Sequence, residues 1–204
     1  MVSRYDMYNN VHKGLRRSLC ALLVDAGVAS ERELPELRSR WLALEAKLAA
    51  HHAHEDRFIG PHLARIAPPL FAEMERDHHA IAQQLATVGA SDDARAFYRT
   101  LSSFVASYLA HMAQEEGAYN DALQGAYTDR DLMAIEGELV GSIAPPLLGE
   151  FMAMMLPAMN LDERFDLLAG MRAGAPPEVF AGMCQLASQV LEPHAWGQLE
   201  ARLG

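Results

Sequence analysis

Two stretches of this chain repeat one spacing, His51-x-x-x-Glu55-Asp56 and His111-x-x-x-Glu115-Glu116. A histidine and a carboxylate four residues apart share one face of an α-helix, one turn from each other. Each pair follows a segment of helical period that carries a further histidine, His12 before the first pair and His78 before the second. The order lone His, pair, lone His, pair fits two helical hairpins of the same design. Packed together, such hairpins would turn all six side chains inward at comparable depth. The intervals are similar too, with 39 residues from His12 to His51 and 33 from His78 to His111.

The flanking sequence supports helices throughout, because β-branched alternation punctuated by two-residue glycine turns is absent. Met7, Val11, Leu15, Leu19 and Leu22 keep a helical period, predicting a helix over about Tyr5–Ala26 that stops near Gly27. Ser30 followed by Glu33 resembles a capping box, opening a second helix to about Ile59, where Gly60-Pro61 breaks or kinks it. Pro68-Pro69 suit the first turn of a third helix to about Val88, and Ser91 is a candidate cap for a fourth reaching about Leu123. Four long helices with short links imply an all-α, up-down-up-down four-helix bundle over residues 1–125. Thr128-x-x-Asp131 and Asn160-x-x-Glu163 are further helix starts, and prolines divide residues 126–204 into short helices. That part reads as a C-terminal helical extension, a candidate surface for a homodimer.

Half of the 204 residues are apolar, enough for a sizeable core, and the formal charge is −10. An acidic chain argues against nucleic acid and against anionic membrane surfaces. No apolar run is long enough to span a bilayer. The opening MVSRYDMYNNVHK lacks an apolar signal core, so the expected location is cytoplasmic. Cys20 and Cys184 are then read as small buried hydrophobes rather than a disulfide. Eight of nine histidines fall in residues 12–111, which puts the chemistry in the first 125 residues.

Imidazole nitrogen with carboxylate oxygen and no thiolate suits iron, manganese or zinc better than a soft metal. A carboxylate can bridge two metal ions. Bridging Glu55 and Glu115, with two histidines for each metal, would leave coordination positions open. An open ferrous site is where O2, NO or peroxide binds.

These residues resemble the hemerythrin-like (HHE) family. The matching segments are VHKGLR around His12, HHAHEDRFIGPHL around His51, ERDHHAIAQQL around His78 and HMAQEEGAYN around His111. The resemblance covers about residues 5–125, and the remainder looks like the extension of some bacterial members. It implies a non-haem di-iron centre of two Fe ions, with an oxo or hydroxo bridge allowed, held by His12, His51, Glu55, His78, His111 and Glu115. It also implies binding of O2 or a related small ligand for redox chemistry or for iron or oxygen sensing. Oxygen-carrying members have a His-x-x-x-His pair on the third helix and His-x-x-x-x-Asp on the fourth. Here Met74 stands four before His78, and Glu115 stands at four and Glu116 at five after His111. One imidazole is missing, which puts simple oxygen carriage in doubt and makes Glu75 and His79 candidates for the vacancy. The alternatives are a di-iron oxidase, oxygenase or peroxidase, and a zinc-bound or metal-free helical interaction module. Whether the protein is an enzyme stays open at this level.

Neighbouring residues receive plainer readings. His52, His54 and His62 are taken as surface or supporting residues rather than ligands. Asp56 and Glu116 are placed to accept the second N–H of a metal-bound imidazole. Tyr8 and Tyr119 are expected to pack in the core with hydroxyls at the bundle end. Met152, Met154, Met155 and Met159 read as interface filler rather than a copper site. Arg16, Arg17, Arg38 and Arg40 read as surface charge.

Overall fold

Leu34, Leu37, Trp41, Leu44, Leu48, His51, Glu55, Ile59 and Leu63 are all buried. So is the residue 60 positions after each of them, from Ala94 through His111 and Glu115 to Leu123. Within each set the steps alternate three and four up to the histidine, then remain at four. Alternating steps mark one face of an α-helix. The run of fours marks a wider turn, and in the computed structural model both helices widen there. The helix α2 (Leu34–His54) passes into a π-turn over Glu55–Ile59 and continues as α3 (Gly60–Ile66). Its counterpart α5 (Ala94–Gln114) passes into a π-turn over Glu115–Tyr119 and continues as α6 (Asn120–Ala126). The i→i+5 bond that defines such a turn runs from Gly60 N–H to the Glu55 carbonyl, and from Asn120 N–H to the Glu115 carbonyl.

The structure describes residues 4–204, and among them there is no strand. The first helix, α1, covers Asn9–Val28, and the Asp6 carboxylate accepts from the amides of Tyr8 and Asn9 at its start. The helix α4 covers Pro68–Gly89. With α1, α2–α3 and α5–α6 it forms the up-down-up-down bundle. Gly60-Pro61 does not end the second helix, because the π-turn absorbs the missing proline N–H. A Cβ on residue 60 would lie 3.2 Å from Met74 Cε and 3.3 Å from Phe71 Cε2, so glycine permits the close approach of α4. Only half of the expected capping box forms at Ser30. Its amide and hydroxyl both donate to Glu33, while Glu33 N–H donates to the Ser30 carbonyl and not to the hydroxyl. The cap of α5 is Asp93, whose carboxylate accepts from Ala96 N–H at 2.7 Å. Ser91 instead bonds the Thr100 hydroxyl. Trp41 packs edge-on against Phe104, ring centroids 5.3 Å apart, in the bundle interior beside the last turn of α4.

Two compact units are distinguishable. One comprises the residues before Asn10 together with Arg16–Ser142; the other comprises Asn10–Leu15 and Ile143–Gly204. The first includes α7 (Asp129–Ser142), opened by reciprocal bonds between Thr128 and Asp131. The second contains α8 (Pro145–Met155), α9 (Leu161–Gly174), α10 (Pro177–Val190) and α11 (Pro193–Leu203). A full capping box between Asn160 and Glu163 starts α9. The core of this unit joins Met152, Leu156, Leu168, Met183, Ala187 and Leu199, and Met159 is buried as well. A Cβ at Gly14 would meet Met155 Cα at 3.1 Å, so the glycine is what lets the α1 and α8 backbones touch. Cys20 is exposed and Cys184 half-buried, both with free thiols, so the expected burial of Cys20 does not occur. Among the described residues no helix is long and apolar enough to cross a membrane.

Candidate metal centre

Where α2 passes into its π-turn the His51 ring and the Glu55 carboxylate meet across one turn, with Nε2 3.1 Å from Oε1. At the end of α5 the same device sets His111 Nε2 3.2 Å from Glu115 Oε1. From α4, His78 Nε2 stands 3.7 Å from Glu55 Oε2 and 3.7 Å from Glu115 Oε1. Each glutamate is the first residue of its π-turn, so the widened turn begins at the carboxylate in both hairpins.

All six residues singled out in the sequence are buried, the two glutamates at 2 % and 1 % exposure. The structure gathers them into two groups. One ligand atom from each of His12, His51, Glu55 and Glu115 lies within 4.8 Å of the others. The second group, on the same criterion, is His52, His78 and His111. His52 was not expected here. It is buried, its ring stacks on His78 with centroids 4.4 Å apart, and it meets His111 edge-on at 5.6 Å. Glu75 and His79 are exposed and do not fill the vacancy on the third helix; Met74 turns inward into the apolar core. His54 contacts the Ala50 carbonyl, and His62 pairs with the Tyr127 hydroxyl at 2.6 Å, both away from the ligand groups.

The residues behind the imidazoles are only half those expected. His78 Nδ1–H donates to Asp56 Oδ1 at 2.7 Å, which fixes the tautomer and leaves Nε2 to face the carboxylates. Glu116 does not serve His111. It takes a bidentate contact from Arg16, at 2.9 and 3.1 Å, which gives that arginine a partner. The acid nearest His111 Nδ1 is Asp77, 3.5 Å away on α4. Asp77 directly precedes His78, and helical spacing alone gave no reason to pair it with α5. Arg38 likewise has a structural task, donating to the Ser91 and Asp92 carbonyls of the α4–α5 link.

Burial, and then the charge of neighbouring Glu115, hold the Glu55 carboxyl well above the ordinary carboxylate range. For His78, burial pulls the pKa down, but bonding to Glu115 and Asp56 outweighs it and raises the ring above the ordinary histidine value. Tyr8 and Tyr108 are pushed up by burial and then by the two glutamates. Tyr119 is raised by burial and by Glu73, Asp77 and Glu115. Tyr8 and Tyr119 are in the core as expected, and Tyr108 joins them; all three hydroxyls lie inside it rather than at a wet bundle end.

The donor set fits a metal. Two buried carboxylates side by side call for positive charge between them. Two ligands on an ion with bonds of about 2.1 Å stand roughly 3.0–3.6 Å apart at angles of 90–120°. The contacts of 3.1, 3.2 and 3.7 Å are of that size. Nitrogen and oxygen donors without sulfur match iron, manganese or zinc.

A family model described as the hemerythrin HHE cation binding domain matches residues 3–123. Neither the curated proteins nor the solved structures gave a match.

Proposed function

This chain belongs to the hemerythrin HHE cation-binding domain family, and on that premise we propose that it is a non-haem di-iron protein that binds O2, NO or peroxide in redox chemistry or in iron or oxygen sensing. The metal ligands are His12, His51, Glu55, His78, His111 and Glu115, and the chemistry belongs to residues 1–125, with 126–204 as a helical extension. One observation carries the reading: the two oxygens of Glu55 face different histidines, Oε1 toward His51 and Oε2 toward His78. A buried carboxylate placed in this way suits a bridge between two cations, with a second carboxylate, Glu115, beside it.

Such a metal pair supplies redox equivalents and an open coordination position for a small ligand. The protein's own residues set the conditions. Asp56 holds the His78 ring with Nε2 turned toward the carboxylates. Ile59, Leu63, Met74 and Leu123 pack beside Tyr8 and Tyr119 and exclude water from that end of the bundle. The Tyr108 and Tyr119 hydroxyls are buried without a hydrogen-bond partner, and their raised pKa values keep them protonated at neutral pH. They are therefore donors for a small polar ligand rather than anions that would repel one.

The test is metal content and the near-ultraviolet and visible spectrum of the protein as purified, after anaerobic reduction, and after return to air. About two irons per chain, with bands that bleach on reduction and return with oxygen, support the proposal. Zinc alone, or no metal, with a flat spectrum through the cycle, refutes it.

A further inference from the structure

Resting on the two-metal reading above, we propose that His52 is a metal ligand, so that the second ion is held by His52, His78 and His111 while the first is held by His12 and His51. The two carboxylates lie against both sets. Glu55 Oε2 and Glu115 Oε1 each stand 3.7 Å from His78 Nε2, and Glu115 Oε1 stands 3.2 Å from His111 Nε2.

Helical geometry explains how neighbours in sequence serve different ions. Successive residues are about 100° apart around an α-helix. With His51 at zero, His52 stands at about 100° and Glu55 at about 40°, between them. The carboxylate therefore occupies the middle of the face, and the two imidazoles flank it on opposite sides. Two cations joined by Glu55 would find one of these imidazoles each. His52 is placed for this by more than its position in the helix. It is buried, a ligand nitrogen lies within 4.8 Å of one from His78 and one from His111, and its ring is packed by His78, His111 and Tyr108. The equivalent position on α5, 60 residues later, is Met112, also buried. The scaffold is thus repeated while the donor set is not, and the added imidazole falls on one side only.

The competing role for His52 is a stacking partner that only positions His78, and His52→Phe separates the two because it keeps an aromatic ring in the stack while removing the nitrogen. The full chain, stripped of metal, is titrated anaerobically with ferrous ion against a chelator, and separately with cobalt(II) for its visible spectrum. Loss of a residue that merely orients a ligand costs about 10- to 100-fold in affinity. Loss of a ligand should exceed that, so the second ion is expected to bind His52→Phe at least about 100-fold more weakly, with an altered cobalt spectrum. His54→Ala, two residues along the same helix and about 200° around it, should keep both ions. Two ions on His52→Phe at wild-type affinity and with the wild-type cobalt spectrum would overturn the assignment. A measurement on the unmodified protein guards against a variant that misfolds. Its cobalt form should show five paramagnetically shifted exchangeable imidazole N–H signals, and four would exclude His52. Wild-type protein that takes up fewer than two ions overturns the two-metal reading itself, a failure visible before any variant is made.

Discussion

Replacing Glu55 by glutamine should move the metal-free and metal-loaded proteins in opposite directions. Without metal, Glu55 and Glu115 are two buried acids with ligand oxygens no more than 4.8 Å apart. At that separation and an effective dielectric of about 20, two full charges repel by about 3 kcal/mol. Burial and this repulsion are what raise the Glu55 carboxyl. A carboxyl raised in the folded state binds its proton more tightly there than in the unfolded chain. The stability it confers is complete below the ordinary carboxylate pKa and is lost as pH rises through the folded value. Glutamine carries no such charge. At pH 8 the metal-free Glu55→Gln protein should therefore be more stable than wild type by about 2 kcal/mol, or roughly 4–8 °C in melting temperature for a chain of this size. Its stability should also fall less between pH 5 and pH 8.

With metal the sign reverses. A neutral amide cannot bridge, so both ions should bind more weakly. A 100-fold loss of affinity removes about 2.7 kcal/mol of the stabilisation that saturating metal provides. Melting followed by circular dichroism, in chelator and again with anaerobic ferrous ion, reads both effects, and metal analysis counts the ions. A metal-free variant that melts below wild type would refute the charge argument. A variant that loses one ion and keeps the other at full affinity would refute the bridging role.

Asp56→Asn removes the charged acceptor 2.7 Å from His78 Nδ1 and should weaken metal binding about 10- to 100-fold with helix content unchanged, measured by chelator competition. Trp41→Ala opens a cavity against Phe104 in the bundle interior, ten residues along the helix from His51, and should cost about 3–5 kcal/mol in urea denaturation. Burial pushes Glu136 up to about 7, so its protonated form stabilises the fold below the ordinary carboxylate range and that contribution is lost as pH rises through about 7. Glu136→Gln should accordingly flatten the stability profile by on the order of 2 kcal/mol between pH 5 and pH 8, allowing for partial solvent screening, as read from urea midpoints against wild type.

The helices and their inward face were legible because burial follows the same three-and-four spacing as the apolar residues. Trp41, Leu44, Leu48 and His51 sit on one stripe, and the eye for period 3.6 finds them. Of the break or kink that Gly60-Pro61 suggests, the break does not occur, for a related reason. Sequence rules treat proline as the end of an α-helix, but a π-turn leaves a carbonyl free of its usual partner and the helix runs on to Ile66. Asp93 displaced Ser91 as the α5 cap because the two are equally good by type and only the loop geometry decides between them. His12, His78 and His111 could be read from spacing because each is the one buried histidine of its helix, and His51 because Glu55 follows it by one turn. His52 could not, since a residue adjacent to a ligand is 100° away and is normally outside the site. It becomes a candidate only when the site is wide enough for two cations. Asp77 was hidden by a different limit: its partner His111 is on another helix, and helical spacing says nothing about pairs between helices.

What distinguishes the two halves of this bundle is the set of positions where the 60-residue correspondence fails. Leu37 and Phe97, Trp41 and Leu101, and Leu44 and Phe104 are exchanges of one apolar filler for another, and they keep the scaffold. His51 and His111, with Glu55 and Glu115, are kept outright. The exchanges that change chemistry cluster around those ligands. His52 answers to Met112, and Asp56, which orients a histidine, answers to Glu116, which is taken by Arg16. A backbone device used twice gives two equivalent carboxylates at the centre, and these substitutions then make their two sides unequal. On the proposed assignment one side has three imidazoles and the other two. The inequality comes from side chains on a common frame, so a change of donors at position 52 should alter one metal position without rebuilding the bundle that holds both.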